Sequence, residues 1–459
     1  MKSRYTKKEA AVLRVAVTTA LITTFAGSAL NIAIPDIEAH FHMGATSVGW
    51  IVTTYMLVTS SLSVPMGKLS ARIGTGRGLT IGILIFGIMS IAAVFSFSGP
   101  MIIAMRAMQG VGGAFIFATN MAILVLTFPA EKSGEALGIL TAGTYTGLSL
   151  GPVLGGLLNQ YFGWRSIFIF MAVISAVAFV TAVRHLDWKN EKRAVGLKQD
   201  VRGTLMYITG IVLSIYGFSS ISEGRYSWIM LGAGAAVLVI FVIVESRTDD
   251  PVMEVGIFAH NRVFTLSSIT ALLNYGATFA ISYLISIYLQ VVMGYSSQIA
   301  GLLLIVQPLM QALFSPKTGK LSDKVPAWKL VTGGMAICVI ELFVFSRITV
   351  STPLWLIIVM LMFGGIGFSF FSSPNTNQIM SSVGKGDKTF ASAILSTMRT
   401  IGQTVSMAIV TVIAGTYLGN VALAAASEDM LIKTMHVSFL VFTLLCIAGV
   451  FMSMTRKNA

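Results

Sequence analysis

Apolar residues run through this chain in long blocks, broken at short intervals by turns carrying glycine, proline or charge. A helix needs about 20 apolar residues to cross the ~30 Å hydrocarbon layer of a bilayer. That ruler predicts fourteen crossings, near 12–35, 46–66, 79–97, 101–127, 137–159, 165–184, 203–221, 227–245, 264–291, 297–316, 329–346, 353–375, 389–416 and 434–454. Backbone polar groups in lipid must be paired within the segment, and the two-residue alternation of a closed β-barrel is absent. The predicted fold class is therefore an all-α integral membrane protein.

Composition removes the competing classes. Of 459 residues, 55% are hydrophobic and only 11% charged, against roughly 25% charge in soluble domains. A water-soluble enzyme is excluded, and Cys338 and Cys446, both inside apolar runs, make no disulfide framework. The net charge of +13 would suggest nucleic acid only if Lys and Arg clustered on one element. Instead they punctuate the gaps. With the N-terminus inside, 25 of the 31 basic residues fall in cytoplasmic stretches. Arg165, Arg225, Arg347 and Lys433 face the other side, and Arg106 and Arg399 lie within crossings. Positive charge accumulates on the cytoplasmic face of membrane proteins, so both termini are expected there. The first apolar run is too long for a cleaved signal peptide.

A duplication lies under this pattern. Gly67-Lys68-Leu69-Ser70-Ala71-Arg72 returns 252 residues later as Gly319-Lys320-Leu321-Ser322-Asp323-Lys324, with four of six positions identical. Each copy follows a crossing that enters the cytoplasm, the second and the tenth. The spacing predicts a six-helix bundle over residues 1–186, a linker with two inserted helices over 187–262, and a second six-helix bundle over 263–459. Transporters built from parallel repeats bind substrate between the halves near mid-membrane.

Further motifs fall in order along the chain: Gly67 to Arg77 after the second crossing, Arg106-Ala107-Met108-Gln109-Gly110-Val111-Gly112-Gly113 in the fourth, and Gly147-Leu148-Ser149-Leu150-Gly151-Pro152-Val153-Leu154-Gly155-Gly156 in the fifth. Trp164-Arg165 with Phe168, Pro374-Asn375-Thr376-Asn377, and Thr397-Met398-Arg399-Thr400 with Gln403 complete the set. Together they resemble the major facilitator superfamily, specifically its fourteen-spanner drug:proton antiporter branch, over nearly the whole length. The resemblance implies alternating access in a prokaryotic inner membrane, with no cofactor and no covalent intermediate. It also implies that Gly67, Arg72, Gly319 and Asp323 take part in cytoplasmic gating. Arg106 and Gln109 would tie the fourth helix to carbonyls of the first and bias a nearby proton site.

The spacing adds a physical reason for the fifth helix. Gly143, Gly147, Gly151 and Gly155 recur every four residues and share one face, where small residues let two backbones approach closely. Pro152 removes a helical donor and adds a bend. A pliable helix of this kind is expected at the seam between rocking halves.

Ionisable groups inside the bilayer are costly and functional by default. They are Arg106, Arg399 and Glu341, the last in the eleventh crossing, with Glu223 at the outer end of the seventh. The family's acid in the first helix is replaced by Ala26, and that of the second-helix loop by Ala71. Coupling to protons needs a group that titrates with conformation, which leaves Glu341 as the candidate, assisted by Arg106. By family analogy the cavity is lined by the first, fourth, ninth and twelfth helices. Its candidates are Asn31, Asn120, Tyr145, Asn274, Tyr275, Asn375 and Asn377, joined by Arg399 and Gln403 one helical turn apart. Such a lining suits amphipathic solutes, neutral or anionic rather than dicationic. The five histidines show no metal-ligand spacing, and Gly74-Thr75-Gly76-Arg77-Gly78 lacks the ending of a phosphate loop. The expected partners are therefore a small solute, protons and the bilayer, with no nucleic acid and no metal, for a protein acting as a monomer. The leading function is proton-driven export. The alternatives are a dedicated exporter of a lipid or anionic metabolite with other coupling, and a transporter-like sensor that moves nothing.

Overall fold

The chain is described here from a computed structural model covering residues 5–186, 200–221, 224–248, 251–253, 256–322, 324–384, 388–419 and 421–458. Among these residues helices are the only extended elements. The first six are α1 (Lys7–Phe41), α2 (Ala45–Ile73), α3 (Thr75–Val94), α4 (Gly99–Thr127), α5 (Ala130–Phe162) and α6 (Arg165–His185). Then come α7 (Val201–Ser219), α8 (Arg225–Glu245) and the single turn α9 (Gly256–His260). The rest are α10 (Arg262–Thr278), α11 (Ile281–Ile287), α12 (Ser297–Leu304), α13 (Val306–Leu321), α14 (Ala327–Phe345), α15 (Leu354–Ser381), α16 (Lys388–Tyr417) and α17 (Glu428–Met454). Among the described residues, thirteen helical stretches are long and apolar enough to cross a membrane. They coincide with thirteen of the predicted crossings, and the other prediction, 137–159, falls inside the 33-residue α5.

Caps and breaks follow local chemistry. Thr6 and Glu9 close a reciprocal capping box at the start of α1, which satisfies donors that a helix N-terminus leaves open. Ser98, Asn261, Ser296 and Ser427 accept from backbone N–H groups at the starts of α4, α10, α12 and α17. Two predicted crossings are interrupted. In the ninth, the Ala280 N–H donates to Ser406 Oγ of α16 at 3.1 Å instead of to its own helix, and a π-helical turn follows at Tyr288–Val292. In the tenth, Pro308 has no N–H for the Leu304 carbonyl, and the helix restarts at Val306.

The helices pack as two groups. In one, α1 lies against α4, α5 and α6, and α4 against α2 and α3; in the other, α10 packs on α15, α16 and α17, and α15 on α13 and α14. The groups meet where α1 touches α11, α2 touches α16, and α5 touches α12 and α13. Helices α7 and α8 pair with each other, and α7 leans on both α2 and α16 through Leu57, Ile211, Phe241 and Ala408. Large apolar side chains such as Trp228, Ile240, Phe343 and Leu444 remain exposed on the outside, as a lipid-facing surface requires.

Candidate functional site

A crevice runs between the two groups, in two adjoining compartments. Gly27, Leu148, Tyr275, Phe279, Phe368 and Gln403 belong to both compartments, so the two share a wall. Helix α1 contributes the hydroxyls of Thr23, Thr24 and Ser28 and the amide of Asn31; Phe117, Tyr145, Phe279 and Phe368 supply aromatic surface. The interrupted helices face the crevice at their breaks, with Thr278 and Ser282 beside one and Leu304, Gln307 and Pro308 beside the other. Discontinuous helices at a midplane site leave backbone groups free for ligand. Arg399 is the cation among the described lining residues, and none of them is an acid.

Five of the nine sequence-derived cavity residues meet here. Asn31 donates to Ser282 Oγ at 3.3 Å across the two groups, and its Oδ1 is buried without a partner. Tyr145 shares a hydrogen bond with Ser372 of α15 at 2.9 Å, and Tyr275 meets Phe368 edge-on at 5.4 Å. The Arg399 guanidinium lies 5.5 Å over Phe117, with Gln403 beside it on the crevice wall. The other four lie away from the lining. Asn120 accepts from Thr19 Oγ1 at 2.9 Å and fastens α4 to α1; Asn274 is buried beside the Cys338 thiol; Asn377 donates to Ser322 Oγ at 2.8 Å. Asn375 donates to the Ser267 carbonyl at 3.1 Å and accepts from Arg456 Nη1 at 2.8 Å. Burial pushes that Arg456 guanidinium, beyond the end of α17, down to about 10.

Glu341 of α14 is fully buried. Its Oε1 accepts from Gln307 Nε2 at 3.2 Å, and its Oε2 has no hydrogen-bond partner. Space for the carboxyl exists because α15 carries Gly364 there; a Cβ at that position would overlap the carboxyl group. Arg347, the nearest basic residue in sequence, is exposed and lies 5.5 Å over the Phe343 ring instead.

Arg106 is fully buried, but its partners are not those the resemblance implies. Its Nε donates to the Ile51 carbonyl of α2 at 3.1 Å and its Nη1 to Gln109 Oε1. Gln109 in turn donates to Ser90 Oγ of α3 at 2.7 Å. Tyr55 stands between Arg106 and α1: its ring lies 4.2 Å under the guanidinium, and its hydroxyl donates to the Thr23 carbonyl at 3.4 Å. The tie therefore joins α4 to α2 and α3.

The glycine face of α5 also lies elsewhere than expected. Gly143, Gly147, Gly151 and Gly155 abut Val17, Leu21, Ser28 and Ala29 of α1, within one group. The crossing between groups is made by the neighbouring face, one residue on from the stripe. A Cβ on Gly156 would stand 3.1 Å from the Ser297 carbonyl carbon, and one on Gly301 would stand 2.9 Å from that of Pro152. The segment expected as a turn is the last part of α2 itself, where Gly67 is near Ala118, Arg72 is exposed and Lys68 donates to the Pro251 carbonyl at 3.1 Å. Gly319 has Ser373 as its nearest neighbour, and Asp323 lies outside the described residues.

Hydrogen bonds between the groups concentrate at the end where α1 and α16 finish. Thr46 Oγ1 donates to the Gly419 carbonyl at 2.9 Å and the Ala45 N–H to Val421 at 3.2 Å. Glu38, almost fully buried, accepts from the Leu423 N–H. Ser286 Oγ donates to the Asn31 carbonyl at 3.0 Å, and Gln290 Nε2 to that of Ile32 at 3.1 Å. The crevice is therefore sealed at that end. Sequence reasoning missed Glu38 because α1 continues past the predicted crossing, and missed Gln307 although the Gln-Pro pair inside an apolar run was visible.

The family model described as Major Facilitator Superfamily matches residues 16–407. The chain is 32% identical over 383 residues to the riboflavin transporter RibZ of Clostridioides difficile, covering 83% of this chain and 82% of that one. It is 28% identical over 390 residues to the multidrug resistance protein Stp of Mycobacterium tuberculosis, covering 83% and 71% respectively. Among solved structures it is similar to a bacterial homologue of the human lysosomal transporter Spinster, in an inward-facing, unoccupied conformation. That likeness has a TM-score of 0.68 at 13% identity over 98% of this chain and 97% of the other, and bears on fold alone.

Proposed function

The chain belongs to the Major Facilitator Superfamily, and from that premise we propose a secondary active exporter of small amphipathic solutes, driven by proton antiport. It is a multi-pass membrane transporter and not an enzyme. The finer reading has fourteen crossings, bundles over 1–186 and 263–459 with the inserted pair over 187–262, and both termini in the cytoplasm. In it the protein works as a monomer in a bacterial inner membrane, and the sealed end of the crevice is the outer one.

The observation that carries the substrate reading is the lining itself: aromatic faces, amides and hydroxyls around one arginine, with no acid among the described lining residues. A dication entering this space would meet Arg399 and no compensating carboxylate, an arrangement costly in low dielectric. Neutral and anionic solutes are therefore favoured, and the riboflavin transporter among the relatives is consistent with a neutral, largely aromatic one. Glu341 is the coupling acid of this reading because it is buried, lacks a cation partner among the described residues, and is one hydrogen bond from the crevice.

The test is uptake into inside-out proteoliposomes with and without an imposed pH gradient, using riboflavin as the neutral probe and methyl viologen as the dication. The gradient is expected to drive riboflavin and not methyl viologen, and Glu341→Gln to abolish the gradient's effect. Equal uptake of both probes overturns the substrate reading. Gradient-driven flux unchanged in Glu341→Gln overturns the coupling reading.

A further inference from the structure

The buried acid is placed on a helix that does not itself line the crevice, so something must connect the two. Gln307 is in both environments: it lines the crevice, and its Nε2 donates to Glu341 Oε1 at 3.2 Å. The contact is built into the packing. Gly364 of α15 leaves space for the carboxyl, and the adjacent Gly365 lets the Gln307 backbone approach, since a Cβ there would meet the Gln307 carbonyl carbon at 3.2 Å. Gln307 is also the second residue of α13, immediately after the break at Ile305 and before Pro308. It thus sits beside the interruption between α12 and α13.

The groups around Glu341 leave Gln307 as its polar link. The titratable neighbours within electrostatic range are the thiols of Cys338 on α14 and Cys446 on α17, and Glu341 Oε2 has no partner. We propose, on the reading that Glu341 is the coupling acid, that Gln307 is the positioning residue through which an occupied crevice controls the proton on Glu341. A solute N–H or O–H donated to the Gln307 amide oxygen polarises the amide, and its Nε2–H then bonds more strongly to the carboxylate form of Glu341. Arrival of a hydrogen-bond-donating solute thereby favours departure of the proton, which is the order that antiport requires. Solute class follows from the same chemistry: the favoured solutes carry at least one donor, as amides, imides and hydroxylated aromatics do.

The experiment compares native protein, Glu341→Gln and Gln307→Leu by infrared difference spectroscopy and by riboflavin accumulation in proteoliposomes. Glu341→Gln identifies the carboxyl C=O band by its disappearance, a measurement that needs no solute. In Gln307→Leu that band is expected at higher wavenumber, because the carbonyl has lost its donor. Gradient-driven accumulation is expected to fall about tenfold, the scale of one hydrogen bond to a charged group. A band unmoved in Gln307→Leu overturns the inference, and so does a band that moves while accumulation stays native, since the amide then only packs. Accumulation that survives Glu341→Gln instead removes the reading beneath it.

Discussion

The close crossing of α5 and α12 makes a quantitative prediction about which way the transporter rests. Gly301→Ala places a methyl 2.9 Å from the Pro152 carbonyl carbon and 3.5 Å from the Val153 Cα. Relaxed contacts between such atoms need about 3.5–4.0 Å, and both obstacles are backbone within a helix, so no side chain can swing aside. The Pro152 carbonyl oxygen lies closer still, so the two helices must separate by roughly 1 Å or more, and overpacking of this kind costs about 1–3 kcal/mol. That cost falls only on the conformation in which α5 and α12 touch. The equilibrium should therefore shift toward the state open at that end by about 5- to 150-fold. The assay replaces the buried Cys338 and Cys446 by serine and places a single cysteine at Leu148, which lines both compartments. Labelling by a membrane-impermeant maleimide is then followed from the face where α1 and α16 end. Gly301→Ala should raise that labelling rate within the stated range and lower labelling from the opposite face. A rate equal to that of the parent, in protein with the parent's melting temperature, would show that the crossing does not hold the crevice shut and refute the argument.

Other consequences follow from single contacts. Glu38→Ala removes the acceptor for the Leu423 N–H and should raise labelling from the same face by about tenfold, the value of a charge-assisted bond; no change would assign the seal to the remaining bonds. Arg106→Lys should lower the melting temperature about as much as Arg106→Ala, since an ammonium cannot serve Ile51, Gln109 and the Tyr55 ring together; full rescue by lysine would contradict that geometry. Gly364→Ala should destabilise the protein by about 1–3 kcal/mol through overlap with the Glu341 carboxyl, and Glu341→Ala in the same chain should restore most of the loss in a thermal-melt assay. Arg399→Gln should reduce uptake of riboflavin phosphate relative to riboflavin by about tenfold, and an unchanged ratio would mean that Arg399 does not meet the solute.

The helices were readable because membrane burial writes a simple rule into the chain: long apolar blocks with charge only in the gaps. Positions on the crevice were less readable, and the reason differs by residue. Asn31, Tyr145, Tyr275, Arg399 and Gln403 share the crevice, but Asn120 and Asn375 are spent fastening helices, and composition gives an amide in lipid no way to declare which it does. The four-residue glycine spacing in α5 announced a close approach correctly, yet periodicity carries no information about the partner, which is α1. Gly156, one residue off that stripe, makes the contact with α12. Glu341 stands on a helix that lines neither compartment, and only the three-dimensional meeting of α13, α14 and α15 brings it within one hydrogen bond of the crevice. Asp323, the acid expected to complete the second gating turn, lies outside the described residues.

The glycine facing Glu341 also constrains history. Any side chain at position 364 competes with the carboxyl for the same volume, so a lineage acquiring the glutamate is expected to carry the glycine already or to gain it at the same step. Relatives bearing a bulkier letter at the corresponding place should lack a glutamate opposite it, which makes one character of sequence a marker for the ancestry of the whole arrangement.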